Sequence, residues 1–326
     1  MSVHLTKLQR QLCNELQKGL PVRSRPFDDL ARFLGSDEEA VLQQIAQLKK
    51  DGLIRQISAL INYRALGKTS TLAAAHVPQE SLQEVAEAVN SLEGVSHNYL
   101  RKHHYNLWFT LQGWSSEEIR LTLSNLSGRF GIDFHSLPVR HVFKLDVRFD
   151  AENQSQLAED IAEVPTSETV ELSESEKRII SQLQEDLEVT AEPFEFLFGE
   201  GFGAEEVLQV IRGLINKGVI RRIAAVVDYR KLGFVHNVLF ISEVPESRVV
   251  EAGERLARFR IVSHCYERKT FEGWPYNLFA MMHAVSMGDI QRVIDKFVEA
   301  EGIESFELLP TVEELKKRPV KYRFGQ

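Results

Sequence analysis

The sequence predicts an α+β chain that uses one architecture twice in tandem: a winged helix-turn-helix followed by a ferredoxin-like β-α-β-β-α-β domain. Three observations predict it. Short strings recur at a constant interval: Gly52-Leu-Ile-Arg55 returns as Gly218-Val-Ile-Arg221, and Tyr63-Arg-Ala-Leu-Gly67 as Tyr229-Arg-Lys-Leu-Gly233, both 166 residues on (218 − 52 and 229 − 63). Val95-Ser-His-Asn-Tyr-Leu-Arg101 returns as Val262-Ser-His-Cys-Tyr-Glu-Arg268, 167 residues on (262 − 95). So constant an interval marks a duplicated unit of several elements. Inside each unit, helical periodicity comes first, and alternating strand and helix patterns follow. The 326 residues leave room for several domains. The boundaries drawn are 1–66 and 172–233 for the helix-turn-helix units, 67–149 and 234–326 for the ferredoxin-like domains, and 150–171 for a polar, acidic linker holding Pro165.

Each unit opens with a helix, marked by Leu5, Leu8, Leu12 and Leu16 in the first copy and Ile179, Ile180, Leu183 and Leu187 in the second. Ser173 and Glu176 make a capping box at the start of the second copy. Phe27 to Leu34 reads as a short second helix. Ser36, with Glu39 three residues on, introduces a third that buries Val41, Ile45 and Leu48 and stops at Gly52; its counterpart buries Val207, Ile211 and Leu214 and stops at Gly218. The β-rich stretches 53–63 and 219–229 each read as a two-stranded wing. Apolar strands 72–77 and 238–244 end at Pro78 and Pro245, followed by helices 81–92 and 247–259. Strands 95–101 and 105–111, with their counterparts, then carry the densest repeat. Helices 116–130 and 287–300 and strands 134–138 and 306–310 close the pattern, and 144–149 and 320–324 read as one further strand-like basic segment per copy.

A hydrophobic fraction of 43% and a charged fraction of 26% suit a soluble globular protein. No basic run leads into an apolar stretch at the start, and no apolar run approaches the roughly 20 residues a membrane span requires. Cys13 and Cys265 form neither a CxxC nor a metal-ligand spacing, so a cytoplasmic location is expected. The net charge of −8 means that DNA or anionic lipid would need a strong local basic patch. The third helices begin Ser36-Asp-Glu-Glu-Ala40 and Ala204-Glu-Glu-Val207, carboxylates that would repel a phosphate backbone. A retained scaffold that joins two ferredoxin-like domains is the expected role of these units, with no DNA or membrane partner.

Residues i, i+2 and i+4 of a strand share one face, so His97, Tyr99 and Arg101 project together, as do His264, Tyr266 and Arg268. A lone strand histidine is usually structural, a strand-end arginine usually pairs with a carboxylate, and Trp108 or Phe279 alone would read as core. Joint recurrence of three polar types on one face in both copies argues for a site. Lys102, His103, His104 and Lys269 lie nearby in sequence, as do Arg140, His141, Lys144 and Arg148 and their counterparts Lys316, Lys317, Arg318, Lys321 and Arg323. Such a concentration in an acidic chain suits an anion with several carboxylates. The copies differ: Tyr105 maps to Tyr276 at 171, against 167 at the histidine, so the second copy inserts four residues including Trp274 and Pro275.

A winged helix followed by a ferredoxin-like domain resembles the Lrp/AsnC family of regulators over nearly the whole chain. A narrower likeness lies in the repeats. Val95-Ser-His-Asn-Tyr-Leu-Arg with Tyr105-Asn-Leu-Trp-Phe-Thr110 resembles one subunit type of the siroheme decarboxylases. Val262-Ser-His-Cys-Tyr-Glu-Arg with Trp274-Pro-Tyr-Asn-Leu-Phe279 and Met281-Met-His283 resembles the other, so the chain is similar to the fused form. The resemblance implies removal of the C12 and C18 acetate carboxyls of siroheme to give 12,18-didecarboxysiroheme, for haem d1 or alternative haem synthesis. It implies no cofactor beyond the substrate's iron tetrapyrrole and no metal held by the protein alone.

On that resemblance, His97 and His264 are the leading acid or substrate-binding histidines, with His103, His104 and His283 as rivals and any of the five a candidate ligand of the substrate iron. Arg101, Arg268 and Arg148 would hold carboxylates. Tyr99, Tyr266, Tyr276, Asn106 and Asn277 would orient them, with Trp108 as an apolar wall. A tetrapyrrole-sensing regulator and a non-catalytic tetrapyrrole carrier remain alternatives, and further self-association of the chain is open.

Overall fold

The computed structural model describes residues 4–152, 168–198 and 203–324, so most of the expected linker lies outside the described residues. The first copy runs α1 (Lys7–Lys18), α2 (Pro26–Leu34), α3 (Glu38–Lys50), β1 (Ile54–Ile61), β2 (Thr69–Ala75), α4 (Leu82–Ser91), β3 (Val95–Arg101), β4 (Leu107–Gly113), α5 (Ser116–Phe130) and β5 (Phe134–Leu145). The second runs α6 (Glu174–Leu183), a 3-10 turn at Glu195–Leu197, α7 (Ala204–Asn216), β6 (Ile220–Val227), β7 (His236–Ser242), α8 (Val249–Arg258), β8 (Val262–Arg268), β9 (Leu278–Ala284), α9 (Met287–Glu301) and β10 (Phe306–Lys317).

Local chemistry sets the helix starts. Ser173 and Glu176 form the expected capping box on α6, and Thr6 with Gln9 forms one on α1. On α3 the cap is Asp37 rather than Ser36: its carboxylate accepts from the Ala40 amide at 2.8 Å, one residue later than the sequence suggests. The second helix of copy one shrinks to the 3-10 turn in copy two.

The wing is where the structure departs most from expectation. Each β-rich stretch is one strand, and its partner comes from the other copy: β1 pairs antiparallel with β6, from Ile54 opposite Val227 to Ile61 opposite Ile220. The helices of both copies pack around this ribbon in one continuous core, including Leu12, Ile45, Leu48, Ile180, Ile211 and Leu214. The two helix-turn-helix units are therefore a single scaffold.

The ferredoxin-like halves also interlock. The strands expected at 134–138 and 306–310 continue past Pro138 and Pro310 into β5 and β10, each of 12 residues. Residues 134–138 pair with β2 of their own copy, and 139–145 cross to β8 of the other. Residues 306–310 pair with β7, and 311–317 cross to β3. Each proline falls where the strand changes partner, so its missing N–H costs little. The expected segments 144–149 and 320–324 are not further strands. Their tails clip back onto the first helices: Gln17 exchanges hydrogen bonds with the Phe149 backbone at 2.8 and 2.9 Å, and Gln184 with Tyr322 at 2.6 and 3.1 Å.

The crossings close one eight-stranded barrel in the order β10-β3-β4-β2-β5-β8-β9-β7. Helices cover its outside in two separate cores, one per copy. Phe143 of β5 docks in the second copy's core beside α8, where a Cβ on Gly253 would lie 2.2 Å from its ring. Gly253→Ala is expected to destabilise the protein by about 1–3 kcal/mol through overpacking of this crossing. A thermal melt matching the wild type would contradict that packing.

Candidate active site

The alternation that sends Leu107, Phe109 and Leu111 to the helix side turns Trp108 and Thr110 into the barrel. By the same alternation β3 and β8 turn both tripods inward. His97, Tyr99 and Arg101 stand opposite Lys317, Glu314 and Thr311 of the crossing β10; His264, Tyr266 and Arg268 stand opposite Leu145, Val142 and Val139 of β5. Each tripod is thus completed by a strand of the other copy. The expected pair of polar faces exists, and both look into the same barrel.

The arginines are buried, at 3% and 6% exposure. Arg101 Nη1 donates to the Leu309 carbonyl at 2.7 Å and to Thr311 Oγ1 at 3.0 Å, and Arg268 Nη1 donates to the Leu137 carbonyl at 2.8 Å. These bonds bolt each tripod to the strand that crosses in. Each guanidinium lies over its own tyrosine ring, 5.1 Å from Tyr99 and 4.7 Å from Tyr266. Among the described residues neither has a carboxylate partner, and the Nε atom of each is buried without a hydrogen bond. Burial lowers both guanidinium pKa values to about 10. A buried arginine with unused donors is ready for an incoming anion.

His97 and His264 are half-buried by area, and each Nδ1 meets the serine before it, Ser96 Oγ at 2.8 Å and Ser263 Oγ at 3.0 Å. Burial first, then Lys317, lowers the His97 pKa to about 4. Burial first, then His97, Arg221, Lys317 and Arg268, lowers that of His264 to about 3. His283 joins them on β9, at 6% exposure, with its pKa well down for the same reasons. Each is neutral in the fold and titrates near 6.5 when unfolded, so its contribution is complete above about pH 6.5 and is lost as pH falls toward about 4 for His97 and about 3 for His264. Stability should fall by about 1–2 kcal/mol per histidine between pH 7 and 5. Thermal melts across that range check this: His264→Gln should flatten the slope, and a slope unchanged by it would contradict the assignment.

Other expected residues lie elsewhere. Asn106 and Asn277 bracket the ends of β2 and β7, each exchanging two hydrogen bonds with one backbone residue, Val77 or Val244, at 2.7–2.9 Å. Their amides are spent on the fold. His103, Tyr105, Tyr276, Phe271 and Trp274 gather with Trp108 at the end of the barrel beyond the arginines, in an aromatic plug. There His103 Nε2 lies 3.2 Å from Glu307, and the Tyr276 hydroxyl donates to the same carboxylate at 2.7 Å. Trp108, expected as an apolar wall, is buried, its indole donating to the Tyr105 carbonyl at 2.6 Å. His104 is exposed on the β3–β4 turn, stacked on His76, away from the tripods. Arg148 follows β5 and bonds Asp146 at 2.7 Å, on the rim near His283.

Of the other basic residues, Lys144 and Lys316 point outward and donate to the last carbonyls of α8 and α4, at Phe259, Asn90 and Leu92. Lys317 enters, 4.0 Å over the Tyr229 ring, with burial lowering its pKa to about 8. Tyr63 and Tyr229, visible in sequence only as repeat markers, stand near the tripod tyrosine of the opposite copy: Tyr229 near Tyr99, Tyr63 near Tyr266. Glu314 and Asn237 have no sequence signal, because their counterparts are Val142 and Ser70. Among the described residues no group of three or more His, Cys, Asp or Glu is arranged to hold a metal ion, and no helix is long and apolar enough to cross a membrane.

Known proteins resemble this chain in sequence and fold. Residues 9–55 match the siroheme decarboxylase NirDL-like HTH domain, and residues 65–144 and 231–316 match the AsnC-like ligand binding domain. A siroheme decarboxylase of Hydrogenobacter thermophilus is 36% identical over 310 residues, covering 94% of this chain and 92% of that protein. A siroheme decarboxylase alpha subunit of Desulfovibrio desulfuricans is 39% identical over 46% of this chain and 87% of its own length, as a half-length relative of a fused chain would be. A crystal structure of the siroheme decarboxylase NirDL in co-complex with an iron-uroporphyrin III analogue superposes with a TM-score of 0.71 at 34% identity, covering 97% of this chain and 94% of that one.

Proposed function

The chain belongs to the siroheme decarboxylase family, and from that premise we propose that it is a carbon–carbon lyase acting on siroheme. It removes the C12 and C18 acetate carboxyls and releases 12,18-didecarboxysiroheme. The observation that carries this reading is the pair of buried arginines with unused donors, each on one strand face with a neutral histidine, inside one barrel with an apolar wall. Carboxylates on a flat apolar ring need cations and an apolar surface together.

The chemistry follows from the charges. Loss of CO₂ from a ring acetate leaves an electron pair on a methylene, which the conjugated macrocycle can delocalise until a proton arrives. The substrate brings its own electron sink, so the protein's part requires no further cofactor. Arg101 and Arg268 would fix ring carboxylates through the Nε edge that the Leu309 and Leu137 bonds leave unbonded. The apolar surround favours conversion of a charged carboxylate into neutral CO₂. His97 and His264 would supply the proton.

Anaerobic incubation with siroheme followed by mass spectrometry tests the reading. Loss of two CO₂ per tetrapyrrole is expected. Binding with unchanged mass would make the chain a carrier or sensor, and absence of binding would remove the ligand altogether.

A further inference from the structure

The two tripods differ behind their histidines, and the difference concerns where the proton comes from. A guanidinium can only donate, so Arg101 Nη1, 3.0 Å from Thr311 Oγ1, makes that hydroxyl an acceptor. Thr311 sends its own proton to Asn237 Oδ1 at 2.7 Å. The amide nitrogen of Asn237 is thereby turned to His283 Nε2 at 3.0 Å, which must be the unprotonated ring nitrogen. The His283 proton sits on Nδ1, 3.2 Å from Ser263 Oγ. Ser263 accepts it and keeps its own proton for His264 Nδ1 at 3.0 Å or the Met281 carbonyl at 3.2 Å. Donated to His264 Nδ1, it leaves that ring's proton on Nε2, the side away from Ser263.

Behind Ser263 and His283 lies a niche of about 10 Å³, bounded also by Arg148, Phe149, Asp150 and Arg260. That is about the room one water occupies. The first copy lacks this arrangement. The position of His283 is held by Gln112, whose amide oxygen accepts from Tyr322 at 2.9 Å, and that of Asn237 by Ser70, bonded to Tyr63 at 2.7 Å. Beside His97, Ser96 there meets Thr110 Oγ1 at 2.7 Å where Ser263 meets the second imidazole of His283.

We propose that Ser263, oriented by His283 and Asn237, is a rear proton entry that supplies His264 Nδ1 as the Nε2 proton leaves, while substrate covers the front of the site. The inference rests on the decarboxylase reading. As CO₂ departs, the C–C electron pair remains with the methylene carbon, which takes the Nε2 proton of His264. His264 Nδ1 takes the hydroxyl proton of Ser263, and Ser263 takes one from water in the niche. The step leaves hydroxide in the niche and the His264 proton on Nδ1. When product leaves, Nε2 takes a proton from solvent and the Nδ1 proton returns through Ser263 to the hydroxide. One solvent proton is thus consumed per CO₂, and the imidazole is neutral before and after each step. His283 is a positioning residue here: by donating to Ser263 it keeps the serine's proton directed at His264.

Two variants test this. Ser263→Ala should slow single-turnover decarboxylation roughly tenfold to a hundredfold with siroheme affinity within about twofold, and Ser263→Thr should restore the rate. Wild-type turnover in Ser263→Ala would overturn the proposal. Asn237→Asp can only accept from His283, so it forces the His283 proton to Nε2 and draws the Ser263 proton away from His264. In ¹⁵N-histidine NMR at neutral pH, the His264 proton should move from Nε2 in the wild type to Nδ1 in this variant. An unmoved tautomer would equally overturn the path. If the wild type binds siroheme without decarboxylating it, the decarboxylase reading fails, and the tautomer experiment still judges the hydrogen-bond chain.

Discussion

His264→Ala should lower the rate of siroheme decarboxylation by roughly 10²–10⁴-fold, the usual contribution of a positioned proton donor. The protein should stay folded. His264 is neutral and forced out of water, so its removal takes away a desolvated ring whose pKa has been lowered to about 3. Ser263 keeps the Met281 carbonyl and His283 as partners, so the net change in stability should be about 1 kcal/mol. His97→Ala should also slow the reaction, because His97 holds the equivalent place in the other tripod of the same barrel. The checks are single-turnover mass spectrometry and a thermal melt on each variant. Wild-type rates in both would show that neither tripod histidine takes part.

The second large effect concerns affinity. Arg268→Met keeps the length of the side chain and removes the guanidinium, and should weaken siroheme binding by about 2–5 kcal/mol, the loss seen when one partner of a buried charge pair is deleted. Arg268→Lys should rescue only in part, since a lysine supplies charge without the planar fork that meets a carboxylate. Arg101→Met should weaken binding similarly and also remove the first donor in the chain that runs through Thr311 and Asn237 to His283. Absorbance titration with siroheme measures all three. Unchanged affinity in both methionine variants would reduce these arginines to bolts between β3 and β10 and between β8 and β5.

Much of this was legible in the sequence, for a physical reason. Period-two alternation reports which face a side chain takes, so the coalignment of His97, Tyr99 and Arg101 and of their repeats could be read directly, and so could the helices that bury Val41, Ile45 and Leu48. Alternation says nothing about which strand lies alongside. That is why stretches 53–63 and 219–229 read as separate two-stranded wings when β1 and β6 pair with each other. It is also why β5 and β10 looked finished at their prolines instead of crossing between copies. Recurrence singled out Asn106 and Asn277, but duplicated architecture preserves a backbone bracket as faithfully as a binding site. The reverse failure hid Asn237, Glu314 and His283's proton chain, because these exist in one copy only and repeat analysis looks for what both copies share.

The central claim is that this barrel replaces a ring carboxyl with a proton drawn from solvent, and one measurement addresses it directly. The chain is incubated anaerobically with siroheme in deuterium oxide, and the tetrapyrrole is examined by mass spectrometry and NMR. The expected product has lost two CO₂ and carries one deuterium in each of two new ring methyl groups. Siroheme returned with its carboxyls intact would contradict it.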